Sequence, residues 1–429
     1  MTDNFEQQWL SDLPPDWTEV RADFLCNHHR VTIDPQIYGD DLVAHYSIPQ
    51  VQESGGPLIE PACDINSTKL LVHAPTLLVS KLNPRKKTVC IAKPHPEHPT
   101  LASGEFVAIN SDQIDLNYAY YLWSSQKVTD RLSAIVQSAT RSHQRVNPSE
   151  ITKLPWKWPP IATQSRIARF LDKKTEQING LIEKKRELLD RLAEKRQAII
   201  TLAVTKGLNP NALMKPSGIE WVGDIPAHWQ VLRLKSLTSE PLSYGANAAA
   251  EFDLPEWPRF VRITDVDELG RLREETFRSL PPEVAQAFLL QPNDILLARS
   301  GATVGKSFLY RTSWGVACYA GYLIRARIKA QYDTRYFYRF LGSTCYWEWV
   351  RSTFIQSTIQ NISADRYANL RIPHPSDRHE QEAIVVFIDT SCAEIDGQRE
   401  LIARSLERLE EYRSALTTAA VTGQLTHLQ

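Results

Sequence analysis

The chain has 429 residues, 42% of them hydrophobic and 23% charged, with a formal net charge of -1. That is material for two or three ordinary globular domains, and it excludes a uniformly basic DNA-coating protein without excluding local basic surfaces. No apolar run approaches the ~20 residues that span a bilayer, the opening MTDNFEQQWL carries no signal-peptide pattern, and the six cysteines form no Cys-x-x-Cys pair, which suits a reducing cytoplasm rather than a zinc or redox site.

In chain order, residues 1–157 read as a mixed α/β region, with strands expected at 70–79 and 106–109 and a short aromatic-rich helix at 118–125. The stretch SKLNPRKKTVCIAKPHP holds Lys81, Arg85, Lys86, Lys87 and Lys93 and no acidic residue. Lysines in such a run suit phosphates. Further on, SATRSHQRVNPSE supplies Arg141, His143, Gln144 and Arg145. His95 and His98 sit among prolines with no further ligand nearby, so a metal site there is not expected.

Residues 158–210 are expected to form one long helix. Leu171, Ile178, Lys185, Leu192 and Ile199 fall seven apart, and Leu181/Ile182, Leu188/Leu189 and Leu202/Ala203 offer a second seam position. Seven-residue spacing with charged flanks marks helices that supercoil.

Residues 211–375 are again mixed α/β, with strands expected at 260–263, 294–298, 306–310 and 322–328 and a short helix at 334–341. NDILLARSGATVGKSFLY contains Gly305-Lys306-Ser307, the tail of a phosphate-binding loop, but Ser300 stands where that pattern needs its first glycine and the residues that follow are strand-like. A strand-turn-strand unit whose loop carries Arg299, Ser300, Thr303 and Lys306 fits better. From 295 to 332 there is no acidic residue, while Arg299, Lys306, Arg311, Arg325, Arg327 and Lys329 are basic. IQSTIQNISADR then brings Gln356, Ser357, Gln360 and Asn361 to the place that Arg141, Gln144 and Arg145 hold in the first half. Arginine, glutamine and asparagine can each make two hydrogen bonds to one purine edge.

Residues 376–429 repeat the long helix, with Ile388, Ile395, Ile402, Leu409 and Leu416 seven apart. The 45 residues from Gln164 align without a gap with the 45 from Gln381, at an offset of 217, and 18 are identical. A weaker repeat opens each half: Trp9, Asp12, Pro14 and Trp17 recur as Trp221, Asp224, Pro226 and Trp229. Two near-copies within one chain can pair with each other, and since each follows its own globular region an antiparallel pair is expected. A generic coiled-coil scaffold is the alternative. No methyltransferase Pro-Pro-aromatic motif, S-adenosylmethionine loop or helicase motif is found, so catalysis is not expected of this chain.

Two halves, each opening with Trp-x-x-Asp-x-Pro-x-x-Trp and closing with Gln-x-x-Ile-x-x-Phe-Leu/Ile-Asp and a helix that ends in Ala-Val-Thr, resemble the specificity subunits of Type I restriction-modification systems over essentially the whole chain. Asp294–Lys306 also resembles a segment of that family's recognition domains, and the first half departs there. The resemblance implies an α+β fold: two mixed α/β target-recognition domains (1–157 and 211–375) joined by two long helices (158–210 and 376–429) that form an antiparallel coiled coil. It implies sequence-specific binding to a bipartite site on double-stranded DNA, with the helix pair setting the spacer. It also implies two methyltransferase (modification) subunits, restriction/translocase subunits, a cytoplasmic setting and no membrane. S-adenosylmethionine, ATP and Mg would serve those partners, with no cofactor in this chain. The specificity subunit of another bipartite-site system is the near alternative.

Overall fold

The computed structural model describes residues 9–28, 31–136, 144–267, 270–354 and 361–428. The chain falls into two units, Met1–Lys185 with Ala403–Gln429, and Arg186–Ile402. Two long helices, Ile161–Lys206 and Arg378–Val421, each contribute a segment to both. At 1.5 Å per residue the 46-residue first helix is about 69 Å long. Within each unit the two segments run antiparallel. In the first, Phe170 lies against His427 and Asn179 accepts from Arg413; in the second, Arg196 meets Asp396 and Gly207 lies near Glu380.

Of the paired seam positions, Ile182 is buried and Leu189 half-buried, while Leu181, Leu188 and Leu202 face outward. The first seam therefore recurs at Leu171, Ile178, Lys185, Leu192 and Ile199, and the second at Thr175, Ile182, Leu189, Arg196 and Ala203. Arg196, at a seam place, lies 3.3 Å from Asp396 across the pair, and Arg413 donates to Asn179.

The repeated residues explain themselves as closures of the two cores. Gln164 donates to the Pro159 carbonyl at 2.9 Å and accepts from the Asp115 amide at 2.9 Å; Gln381 does the same with Pro375 and Asp333, both at 2.8 Å. Each glutamine so ties a helix start to the first turn of the short helix Leu116–Ser124 or Thr334–Phe340. Each long helix ends on a glycine with φ +72°, Gly207 or Gly423, the left-handed residue that closes helix C-termini. Over these glycines pack the prolines and tryptophans of the opening motif, Pro226 and Trp229 on Gly207, Pro14 and Trp17 on Gly423. Buried Tyr336 donates to the Val204 carbonyl at 3.0 Å and buried Tyr118 to the Val421 carbonyl at 3.1 Å.

The duplication extends through the sheets. A two-stranded antiparallel ladder joins the start of each region to its end, Thr18–Arg21 with Pro155–Trp158 and Gln230–Arg233 with Arg371–His374. Each unit then has a four-stranded sheet of one order: Asn27–His28, Phe106–Asn110, Thr76–Ser80, Val89–Ala92 in the first, and Ser243–Tyr244, Leu323–Ala326, Ile295–Ala298, Ser307–Leu309 in the second. A parallel pair recurs too, Leu42–Tyr46 with Thr100–Ser103 and Arg259–Val261 with Ala317–Tyr319.

The strand expected at 70–79 is two strands, Lys69–Leu71 in a five-stranded sheet and Thr76–Ser80 in the four-stranded one. The chain changes sheets at His73-Ala74-Pro75, where proline has no N–H to give a ladder.

His374 lies buried against Tyr332 and Phe337, and burial holds its imidazole below the ordinary value of 6.5, outweighing a backbone contact with Ile372. The unfolded chain then binds the proton more tightly, so this contribution to stability is present above pH ~6.5 and is lost as pH falls toward the folded pKa. His374→Phe is expected to flatten the loss of stability of the second unit between pH 7 and 5. Denaturant midpoints at several pH values check this; equal acid slopes for both proteins would rule it out.

Candidate nucleic-acid interface

The basic loops and the polar segments that precede the long helices, separate in sequence, lie side by side in both units. In the first, the hairpin Thr76–Ser80 to Val89–Ala92 turns through Pro84–Lys86. The segment at 144–146 crosses its end, with Asn83 donating to the Gln144 carbonyl at 2.8 Å, Val146 to Lys81 at 3.0 Å, and a bridge between Leu82 and Arg145. In the second, the hairpin Ile295–Ala298 to Ser307–Leu309 turns through Gly301–Thr303. Asn361 bridges Ser300, and Ile362 donates to the Arg299 carbonyl at 2.8 Å.

The second hairpin is the strand-turn-strand unit expected there. Gly305, at φ +85°, is fixed by space as well as by backbone, because a Cβ there would stand 3.0 Å from Trp347 and Val350. A strand follows it instead of the helix that a phosphate loop needs. His95 Nδ1 accepts from the amides of Glu97 and His98.

The site residues divide by where their polar ends go. Lys81 donates to the Gly104 carbonyl at 2.6 Å. Lys87 is half-buried and donates to Ser414 at 3.1 Å, and burial lowers the pKa of its ammonium. Both are held by the protein itself. Arg85 and Lys86 are exposed, Lys86 reaching Gln52 at 3.4 Å. Gln144 is half-buried, and Arg145 is exposed and pairs with Glu105 at 2.5 Å. In the second unit Arg299, Ser300 and Thr303 are half-exposed, and Lys306 and Asn361 exposed. Arg141, Gln356 and Gln360, with His143 and Ser357, lie outside the described residues.

The acid-free run at 295–332 is less basic at the surface than its composition suggests. Arg327 is clamped by buried Asp294 through two bonds of 2.7 Å and by Glu240 at 2.6 Å; Arg325 meets Glu240 at 3.1 Å. Lys329 donates to the Ser236 carbonyl. The sequence gives no hint of Tyr244 and Tyr322, two exposed aromatics beside Arg299. Among the described residues, no group of three or more histidines, cysteines or carboxylates could hold a metal ion, and no helix is long and apolar enough to cross a membrane.

No protein-family model matches the chain. It is 24% identical over 214 residues to the specificity subunit of the Type I restriction enzyme StySPI of Salmonella potsdam, a match covering 48% of this chain and 45% of that protein. To the EcoBI specificity subunit of Escherichia coli it is 22% identical over 340 residues, covering 76% and 70%. The match to the StySPI subunit thus spans less than half of that relative's length. Among solved structures, a chain of a type I R-M system solved for its complex assembly and conformational transition has a TM-score of 0.76 at 17% identity, covering 96% of this chain and 99% of that one. The HsdS subunit of Thermoanaerobacter tengcongensis has a TM-score of 0.54 at 17% identity, covering 96% and 98%. In sequence over much of its length the chain is similar to the specificity subunits of Type I restriction enzymes, and in fold over nearly all of it to an HsdS subunit.

Proposed function

We propose that this chain is the DNA-recognition subunit of a Type I restriction-modification complex, in which each unit reads one half of a bipartite site on double-stranded DNA. The observation that carries the reading is the repeated interface: a hairpin turn crossed by a polar segment at equivalent places in both units. Hydrogen-bonding side chains on such a surface suit base edges, and the cations beside them suit phosphates. The chain itself catalyses nothing. Adenine methylation falls to two methyltransferase subunits using S-adenosylmethionine, and cleavage to restriction/translocase subunits using ATP and Mg, all in the cytoplasm.

The two units should read independently. Replacing roughly residues 1–150 with the same region of a relative is expected to change one half-site and leave the other and the spacer as they were. Methylation mapping of DNA from cells carrying the chimaera with its methyltransferase checks this. A change in both half-sites would contradict independent reading, and no methylation pattern even with the parent chain would contradict the DNA-recognition role.

A further inference from the structure

Arg299 is held differently from the other arginines of its sheet. Arg325 and Arg327 spend their guanidinium groups on Glu240 and Asp294. Arg299 has no carboxylate partner among the described residues. Its guanidinium carbon lies over the Tyr244 ring, 4.7 Å from the centroid, and its Nε donates to Asn361 Oδ1 at 3.4 Å. No described residue accepts from Nη1 or Nη2.

Both supports are themselves fixed. The Tyr244 hydroxyl accepts from the Ala364 amide at 2.9 Å. The backbone at Arg299 is held on both sides, its carbonyl accepting from Ile362 at 2.8 Å and its amide donating to Tyr322 at 3.1 Å. Tyr367 donates to the Ala298 carbonyl at 2.8 Å, and Tyr346 to that of Gly305 at 2.6 Å, which pins the two ends of the loop. Exposed Tyr322, Lys306 and Asn361 mark the region as open to solvent.

We propose that Arg299 reads one guanine in the half-site bound by the second unit, donating from Nη1 and Nη2 to O6 and N7 in the major groove. This rests on the DNA-recognition role proposed above. With Nε occupied by Asn361 and the group resting on the tyrosine ring, the end of the fork is what remains: two parallel N–H donors. Guanine presents two acceptors on its major-groove edge, whereas adenine presents one acceptor and one donor. Because the fork is already oriented, less rotamer freedom is lost on binding than for a free arginine. The equivalent loop position in the first unit is Lys81, whose ammonium is committed to Gly104, so the inference concerns the second half-site alone.

The test uses the complex assembled with its methyltransferase subunits, once methylation mapping and the domain swap have assigned the half-sites. Each guanine of the second half-site is replaced in turn by 7-deazaguanine, which removes the N7 acceptor and leaves O6. One position is expected to weaken binding by the wild-type complex. Arg299→Ala and Arg299→Lys should each lose about 5- to 150-fold on the natural site, the span of one bidentate pair, and should no longer respond to the 7-deaza change. The wild-type measurement needs no variant to fold. If no guanine responds, the inference is overturned. It is equally overturned if Arg299→Lys binds as the wild type does while Arg299→Ala weakens every sequence alike, which is the behaviour of a phosphate contact; in both cases site-selective binding by the wild-type complex would leave the recognition role standing. Absence of site-selective binding by the wild type would instead remove that role and this inference with it.

Discussion

Gly423→Val is expected to destabilise the first unit by about 2–6 kcal/mol. Two costs add. The residue has φ +72°, where a β-branched side chain is strained by roughly 1–3 kcal/mol, and a Cβ there would stand 2.9 Å from the Trp17 ring, with overpacking costing a further ~1–3 kcal/mol. Trp17 and its neighbours Leu10 and Leu13 are buried in the core that Val421 and Leu428 complete, so they have little room to give. The unit's thermal transition should fall by about 5–20 °C, while that of Arg186–Ile402 holds. Gly180→Ala is the control: it lies mid-helix with nothing within 4 Å of the added Cβ, and it should be neutral or slightly stabilising. Calorimetry of the three proteins decides it; a Gly423→Val transition within a degree or two of wild type would refute the packing argument.

Asp294→Ala should cost about 3–5 kcal/mol in the second unit, because it leaves an arginine without its buried partner. Asp294 is fully buried and accepts from Arg327 Nε and Nη2 and from the Gln291 amide at 2.8 Å. Glu240 on the other side of Arg327 is more exposed and compensates only in part. The double variant Asp294→Leu with Arg327→Met should be less destabilised than Asp294→Ala, since an apolar pair leaves no buried charge. Urea unfolding of the set measures this. A double variant worse than Asp294→Ala would mean that the pair does more than satisfy itself.

The helices and the duplication were legible because they are local: seven-residue spacing over 45 proline-free positions and an ungapped offset carry their own periodicity. What the shared residues do was not. Trp17 and Gly423, or Tyr118 and Val421, meet only in the folded chain, and a lone sequence gives no sign that a tryptophan near one end caps a helix near the other. The strand expected at 70–79 runs across His73-Ala74-Pro75, and the two apolar stretches on either side of that break join different sheets, which their composition does not distinguish. Of the candidate interface, the loop at 299–306 and the segment at 361 could be picked out by residue type. Their adjacency across some sixty residues could not. Charge counts misled for Arg325 and Arg327 because the neutralising Glu240 lies far back along the chain and Asp294 just before the acid-free run.

The first unit is built from Met1–Lys185 and Ala403–Gln429, with the whole of the second unit between them in the chain. Residues Ala420, Val421 and Leu428 belong to the same buried cluster as Leu10, Trp17 and Tyr118. During translation the region begun first is therefore finished last. At ~5–20 residues per second the ribosome needs about 10–40 s to pass from residue 185 to residue 403. Through that interval the second unit can close on its own contiguous segment, while the first unit still lacks Ala420, Val421 and Leu428, which complete its buried cluster.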